Sequence, residues 1–223
     1  IEVFARLKSF VERNPWKICG FFAALVTLVI SIHPLLSPDV YMYVAIADRW
    51  LLRGMPAQDP FIIDPIAPFQ IMHEWLSYFV FWGIHQVAGF DGAILFKAAL
   101  FAIMSLIVTR FAARNRTHWF AYALALGLAL TSAHFRMSER TSLFSDVFQL
   151  GCLFFAMKLF TPEPISFKRA LAVTFLLFVL WGNLHAGWLF GLILLCGGVG
   201  FRVLRARGDW KWLALPVVAA LGL

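Results

Sequence analysis

The sequence predicts an all-α fold, a polytopic bundle of about seven membrane-spanning helices, and three observations carry this prediction. Of the 223 residues, 61% are hydrophobic and only 14% are charged. The mean hydropathy is +0.80, well beyond the usual balance of a soluble domain. Several apolar runs approach the ~20 residues that a helix needs to cross a bilayer. They lack the alternating pattern of membrane strands, so the spanning elements are expected to be helices.

The candidate spans follow one another along the chain. They are Trp16 to Leu36, Gly92 to Val108, Trp119 to Ala133, Leu143 to Leu159, Ala170 to Asn183, Gly187 to Val203, and a last one that begins near Trp212. The first run has spanning length and no cleavage pattern behind it, so we expect it to remain as an anchor. The sequence opens without Met and stops inside an apolar run. We therefore expect residues 1–223 to be a single transmembrane domain, the N-terminal part of a longer module.

The segment 73–89, HEWLSYFVFWGIHQVAG, is long enough to cross but carries several polar side chains, and the basic residues decide its placement. If it does not cross, 14 of the 19 Lys and Arg residues fall on one side of the membrane. If it did cross, three basic clusters would be exported, against the positive-inside rule. We predict a helix that lies at the outer face or dips into it, with the N-terminus of the chain in the cytoplasm.

Charge and cysteine usage argue against two other classes of protein. The net charge of +7 would indicate nucleic acid binding only if the basic residues gathered on one soluble face. They lie beside the spans, so no nucleic acid partner is expected. Cys19, Cys152 and Cys196 lie in apolar runs without metal-like spacing, so we expect small core residues and neither a disulfide framework nor a zinc site.

The first outer loop, 37–91, is far longer than the other connections, and long ordered loops usually carry function. Its stretch DVYMYVAIADRWLLRG is predicted to be an amphipathic helix that Gly54 ends. Such a helix would lie flat in the membrane interface. The expected apolar stripe consists of Val40, Val44, Ala47 and Leu51.

Acidic residues in this loop have two possible uses. Asp39 opens the predicted helix, where it suits an N-cap and also a general base or metal ligand at the membrane surface. Glu74 opens the next helix. Its carboxylate suits two roles there, stabilisation of the positive end of the helix or a part in the chemistry of a site. His73 does not suit that helix end. Asp59 and Asp64 lie in GMPAQDPFIIDP, which is typical of turns.

The second outer loop, HFRMSERTSLFSD, contains two exported arginines. An arginine close to hydrocarbon is costly unless it meets an anion, and the guanidinium fork suits phosphate oxygens. One interpretation is that Arg136 or Arg140 pairs internally with Glu139 or Asp146. The other is a clamp for the phosphate or pyrophosphate of a lipid.

In WGNLHAGWLFG, an amide and an imidazole interrupt an apolar segment. His185 alone would more often be hydrogen-bonded between helices. Its neighbour Asn183 and the charged surface favour a cavity. The small residues Gly182, Ala186 and Gly187 would allow a close approach of backbone or ligand.

Four stretches, in this order and at these separations, resemble the bacterial membrane glycosyltransferases of the GT-C superfamily, related to polyprenyl-phosphate-sugar-dependent enzymes. They are SPDVYMYVAIADRWLLRGMPAQDPF, MHEWLSYFVF, ERTSLFSD and WGNLHAGWLFG, and the resemblance spans roughly residues 16 to 200. It implies a GT-C-like fold with membrane-parallel helices in the first outer loop. It also implies sugar transfer from a polyprenyl-phosphate donor at the extracytoplasmic face of a bacterial inner membrane.

The resemblance implies roles for single residues. Asp39 would be the base or metal ligand, and Arg140 would meet the lipid phosphate. The predicted site consists of the catalytic residues Asp39 and Glu74 and the substrate-binding residues His73, Arg136, Arg140, Asn183 and His185. Relatives often carry a further acid or His after the first Asp, where this sequence has Tyr41 and Tyr43. Whether a divalent cation, Mg²⁺ or Mn²⁺, takes part therefore stays open.

Two other functions remain as alternatives. A transporter or flippase needs polar groups through the middle of the membrane, where these spans carry few besides Gln149 and Lys97. A noncatalytic subunit would keep the fold as a scaffold for other membrane subunits. The expected partners of the enzyme are the membrane lipid and the polyprenyl-phosphate sugar donor.

Overall fold

The computed structural model describes residues 14–34, 37–54, 74–115, 117–133, 137–159, 165–205 and 210–223, and within these ranges it contains helices and no strand. The all-helical prediction is therefore confirmed. The helices are α1 (Pro15–Ser31), α2 (Asp39–Arg53), α3 (Trp75–Arg114), α4 (Trp119–Ala133), α5 (Ser142–Leu159), α6 (Phe167–Leu184), α7 (Trp188–Arg205) and α8 (Ala214–Leu221), with a 3₁₀ turn at Trp210–Leu213.

The described helices have the length and the surface of a membrane protein. Helices α3, α5, α6 and α7 are long and apolar enough to cross a bilayer, and α1, α4 and the segment 210–221 are shorter apolar helices. Large apolar side chains point away from the protein along these helices, among them Phe21, Phe22, Val29, Leu176, Phe190 and Ile193. Exposed apolar surface of this extent requires hydrocarbon around it. The chain is a helical membrane protein.

Helix α3 is interrupted at Gly89. This glycine has φ 63° and ψ −163°, a backbone conformation that glycine adopts without a steric penalty. An unbroken helix of 40 residues would be ~60 Å long, twice the thickness of the hydrocarbon core. The interruption lies at the end of the 73–89 segment that the charge distribution separates from the next span.

Helix α2 matches the predicted amphipathic element in its bounds. It begins at Asp39, and Gly54, with φ 79°, follows its last residue. Val40, Val44 and Ala47 are buried as predicted, whereas Leu51 is 55% exposed. Leu51 therefore does not belong to the buried stripe. That stripe instead includes Tyr43 and Ile46.

The chain forms two compact units. The first comprises Ile1–Ser37 and Val87–Glu139, and the second comprises Pro38–Gln86 and Arg140–Leu223. Helices α5, α6, α7 and the segment 210–221 build the core of the second unit, around Trp181, Phe178, Leu195, Val199 and Leu215. Glycines allow this close packing: a Cβ at residue 198 would lie 3.1 Å from that of Ala156, and one at residue 191 would enter the Trp181 ring. Small residues of this kind bring membrane helices together.

A buried ion pair lies inside the first unit. Lys97 Nζ is 2.5 Å from Glu139 Oε1, and neither side chain has exposed surface. The same ammonium lies 3.2 Å from Nε2 of His33. Because a buried charge is tolerated only when it is paired and hydrogen-bonded, these contacts explain how an apolar span holds a lysine.

Hydroxyl groups join the helices of the first unit nearby. Thr27 Oγ1 lies 2.7 Å from Ser105 Oγ, and Thr109 shares a hydrogen bond with Tyr122. These side chains also donate to carbonyls within their own helices, as Thr27 does to Ala23. Such bonds replace contacts with water that hydrocarbon cannot supply.

Replacing Lys97 with Met should strongly destabilise the protein, because the Glu139 carboxylate would remain buried without its cation. Removal of one partner of a buried pair costs ~3–5 kcal/mol, whereas replacement of both is often neutral. The control is therefore the double variant Lys97→Met, Glu139→Leu, which should recover most of the lost stability. Thermal unfolding of the purified chain in detergent compares the two, and equal melting temperatures for the wild type and Lys97→Met would contradict the prediction.

Candidate functional site

An exposed ion pair lies at the start of α2. Arg140 Nε is 3.2 Å from Asp39 Oδ2, and the two side chains are 55% and 35% exposed. Pro38, and not Asp39, takes the N-cap position of α2, and the helix has no side-chain cap hydrogen bond. Asp39 still lies in the first turn, where the helix dipole favours a negative charge. An ion pair this exposed contributes little to the stability of the fold. Because both side chains are exposed, a ligand can reach them.

A second carboxylate, Glu74, collects contacts from two remote segments. Thr141 Oγ1 donates to Glu74 Oε2 at 2.8 Å. The backbone N–H of Ala186 donates to Oε1 at 3.4 Å, and His185 Nε2 lies 3.6 Å from the same oxygen. Glu74 precedes α3, Thr141 precedes α5, and His185 follows α6. Helix ends from three parts of the second unit thus meet at one carboxylate.

The buried Tyr43 hydrogen-bonds with Thr141 and is close enough to Asp39 and Glu74 to feel their charges. Its ring stacks on Tyr78, with centroids 5.1 Å apart, and on Phe81. Burial raises the pKa of the Tyr43 phenol, and hydrogen bonds with Thr141 partly oppose this effect. The negative charges of Asp39 and Glu74 raise that pKa further. Tyr43 therefore stays protonated at neutral pH and carries an O–H group that can donate.

His185 is held on the side of its ring opposite to Glu74. His185 follows α6, and its backbone is extended. The Nδ1 atom of its ring lies 2.6 Å from Ser145 Oγ. The backbone N–H of Gly187 donates to the same nitrogen at 2.9 Å. Ser145 in turn accepts a hydrogen bond from Trp181 Nε1 at 2.7 Å. The imidazole is thus fixed by groups of α5 and α6.

Asn183 also lies beside this group of residues. Its Oδ1 accepts a hydrogen bond from Trp75 Nε1 at 2.5 Å, and its Nδ2 donates to the Val179 carbonyl at 2.7 Å. Trp75 follows Glu74 in the chain and packs against the rings of Trp50 and Phe79. The amide therefore helps to fix an aromatic cluster next to the second carboxylate.

The structure brings five of the seven predicted site residues together in the second unit. They are Asp39, Glu74, Arg140, Asn183 and His185. His73 and Arg136 lie outside the described residues, as do Asp59 and Asp64. The roles of all seven in binding or catalysis stay predictions.

Several residues of this group were not singled out from the sequence. They are Tyr43, Trp75, Thr141, Ser145 and Trp181. Tyr43 was noted only as a departure from the family pattern, and the two hydroxyl residues were unremarkable members of ERTSLFSD. Their position one to five residues after Arg140 was the available signal.

No group of three His, Cys, Asp or Glu side chains arranged to hold a metal ion occurs among the described residues. Asp39 faces a guanidinium, and a cation beside it would compete with Arg140. The described residues thus supply no donor set for the divalent cation that the resemblance leaves open.

No family model, curated protein or solved structure matches this chain. The GT-C resemblance therefore rests on the four sequence stretches quoted above. The contacts among the site residues do not depend on that resemblance.

Replacing Gly187 with Ala should destabilise the protein, because the new Cβ would lie 2.3 Å from Ser145 Oγ and 2.9 Å from His185 Nδ1. Overpacking of this kind costs ~1–3 kcal/mol. The matched control is Gly151→Ala in α5, where a Cβ meets nothing within 4 Å and alanine favours the helix. Melting temperatures in detergent should fall for the first variant and hold or rise for the second; an unchanged value for Gly187→Ala would show that Ser145 and His185 can move apart freely.

Proposed function

We propose that this chain is a membrane glycosyltransferase that moves a sugar from a polyprenyl-phosphate donor to an acceptor hydroxyl at the extracytoplasmic face. The observation that carries the proposal is the exposed Asp39–Arg140 pair beside the Glu74–His185 pair in one compact unit. An accessible carboxylate and an accessible guanidinium are the two groups that such a transfer requires.

The proposed chemistry is an inverting displacement at the anomeric carbon of the sugar. The acceptor oxygen forms a bond to that carbon while the bond from the carbon to the phosphate oxygen breaks. Asp39 takes the proton of the acceptor hydroxyl. The electron pair leaves with the polyprenyl phosphate, whose growing negative charge Arg140 stabilises.

The ion pair gives this mechanism a resting state. Arg140 contacts Asp39 through Nε, and a guanidinium carries four further N–H donors. Binding of a phosphate to the guanidinium would weaken its hold on Asp39, and the carboxylate would then be available as a base. Because an exposed ion pair contributes little stability, breaking it in this exchange costs little free energy.

The positions of the charged groups along the chain support a lipid-linked donor. Asp39 begins α2, Glu74 precedes α3, Arg140 precedes α5, and His185 follows α6. Groups at helix ends suit a substrate whose phosphate lies at the membrane surface and whose tail lies in hydrocarbon. We further propose seven spans, with the N-terminus cytoplasmic and α2 along the outer surface, since this arrangement retains 14 of the 19 Lys and Arg residues inside.

Replacing Asp39 with Asn should abolish transfer and leave the fold intact, because the exposed pair contributes little stability and the amide cannot accept the proton. A loss of ~10²- to 10⁴-fold is expected for a general base. The matched control is Asp48→Asn on the same helix, whose carboxylate accepts a hydrogen bond from Trp82; an amide oxygen can still accept it.

The assay uses the full chain in proteoliposomes, a panel of polyprenyl-phosphate-linked hexoses and pentoses, and octyl glycosides as acceptors, with polyprenyl phosphate release as the readout. Unchanged turnover in Asp39→Asn would refute its role as a base. A wild type that consumes none of these donors but co-purifies with other membrane proteins would favour the scaffold alternative.

The proposed orientation is open to a separate test, because α2 and the start of α6 should face opposite sides of the membrane. Arg53→Cys and Lys168→Cys place exposed thiols in a chain whose Cys19, Cys152 and Cys196 are replaced by Ala. A membrane-impermeant maleimide should label position 53 in intact spheroplasts and position 168 only after permeabilisation. The reverse pattern would put the site on the cytoplasmic face and rule out an extracytoplasmic donor.

A further inference from the structure

The hydrogen bonds around His185 determine which ring nitrogen carries the proton. The backbone N–H of Gly187 donates to Nδ1 at 2.9 Å, so this nitrogen presents its lone pair. Trp181 Nε1 donates to Ser145 Oγ at 2.7 Å. The hydroxyl hydrogen of Ser145 therefore points elsewhere, and Nδ1 lies 2.6 Å from the Ser145 oxygen. With Nδ1 as the acceptor of the Gly187 N–H, the Ser145 hydroxyl can direct its hydrogen to the same nitrogen, and in the neutral ring the proton resides on Nε2.

The protonated nitrogen faces Glu74. His185 Nε2 lies 3.6 Å from Glu74 Oε1, and Thr141 donates to the other carboxylate oxygen at 2.8 Å. Through its contact with the His185 ring, the Ser145 hydroxyl thus affects how the imidazole faces Glu74. A ring without that bond could rotate and present either nitrogen to the carboxylate.

We propose that Ser145 is a positioning residue that fixes His185 in the Nε2–H form and aims this N–H at Glu74. The role in turnover rests on the proposed function, whereas the proton position does not. Under that function, Glu74 is the second carboxylate of the site, and its orientation beside the Arg140-Thr141 segment decides how it meets the substrate.

Serine, histidine and an acid are also the side chains of a hydrolase triad, and the geometry argues against that use. In the triad the serine bonds to Nε2 and the acid to Nδ1, whereas the order here is reversed. Ser145 is only 8% exposed, and its oxygen already accepts the Trp181 N–H. A carbon atom added at Gly187 would collide with this oxygen at 2.3 Å, so no space remains between Gly187 and Ser145 for a substrate carbonyl.

The test is nitrogen NMR of the full chain, labelled with ¹⁵N-histidine, in nanodiscs. The spectra are recorded at about pH 8.5, two units above the pKa of about 6.5 of histidine in model peptides. The His185 signal is the one that disappears in His185→Gln. In the wild type we expect a single form, with Nδ1 unprotonated and an Nε2 proton that exchanges slowly with water. A wild-type ring with its proton on Nδ1, or an equal mixture of both forms, would overturn the proposal.

Ser145→Ala supplies the second measurement. The variant should show mixed proton positions or fast exchange at Nε2, and kcat should fall by ~10- to 100-fold with little change in donor KM. Trp181→Phe retains a ring against Phe148 but removes the N–H that anchors Ser145. It should change the signal in the same direction. Ser105→Ala is the matched control, since it removes a hydroxyl that is 6% exposed in the first unit, and it should change neither the signal nor kcat.

The outcomes separate this inference from the proposed function. An ordered Nε2–H ring in a chain that turns over no sugar donor supports the positioning of His185 and contradicts the enzyme. Sugar transfer by a chain whose Ser145→Ala variant keeps the wild-type signal and kcat supports the enzyme and overturns the positioning role. Labelling of Ser145 by a fluorophosphonate would show a nucleophile and would also overturn it.

Discussion

The contacts of two adjacent residues, Arg140 and Thr141, hold the polar groups of the second unit together. Arg140 meets Asp39, and Thr141 meets Glu74. Because these two adjacent side chains meet different carboxylates, one short segment holds both acids in one part of the second unit. Tyr43, buried and hydrogen-bonded to Thr141, carries a proton that both negative charges favour. Displacement of this segment would remove Arg140 from Asp39 and Thr141 from Glu74.

Much of the helical architecture could be predicted because its causes are local. The apolar runs predicted α4 with its observed ends and α5 within one residue of its start. Gly54 ends α2 because a positive φ suits glycine. The burial of single residues is less local. Leu51 has the right spacing for the stripe of α2, but what covers its last turn depends on packing that no periodicity encodes. The same holds for Lys97, whose carboxylate partner is 42 positions away along the chain.

The kinds of residue in the candidate site could also be predicted, since charged and amide groups are conspicuous in an apolar chain. Asp39, Glu74, Arg140 and His185 stood out for that reason, and the structure places them together. Thr141, Ser145 and Trp181 did not stand out, because hydroxyls and indoles are common at the ends of membrane helices. Only three-dimensional contacts distinguish a serine that is hydrogen-bonded to an imidazole from one that has no such partner.

The glycine at 187 has a mechanical consequence for the second unit. Its backbone lies so close to Ser145 that the space between the α6–α7 turn and the first turn of α5 is smaller than one methyl group. Two segments in such close contact cannot slide past each other without breaking two hydrogen bonds at once, the one between Ser145 and His185 and the one between Trp181 and Ser145. Any movement within this unit therefore keeps the end of α6 and the start of α5 together as one rigid body and takes place at other contacts.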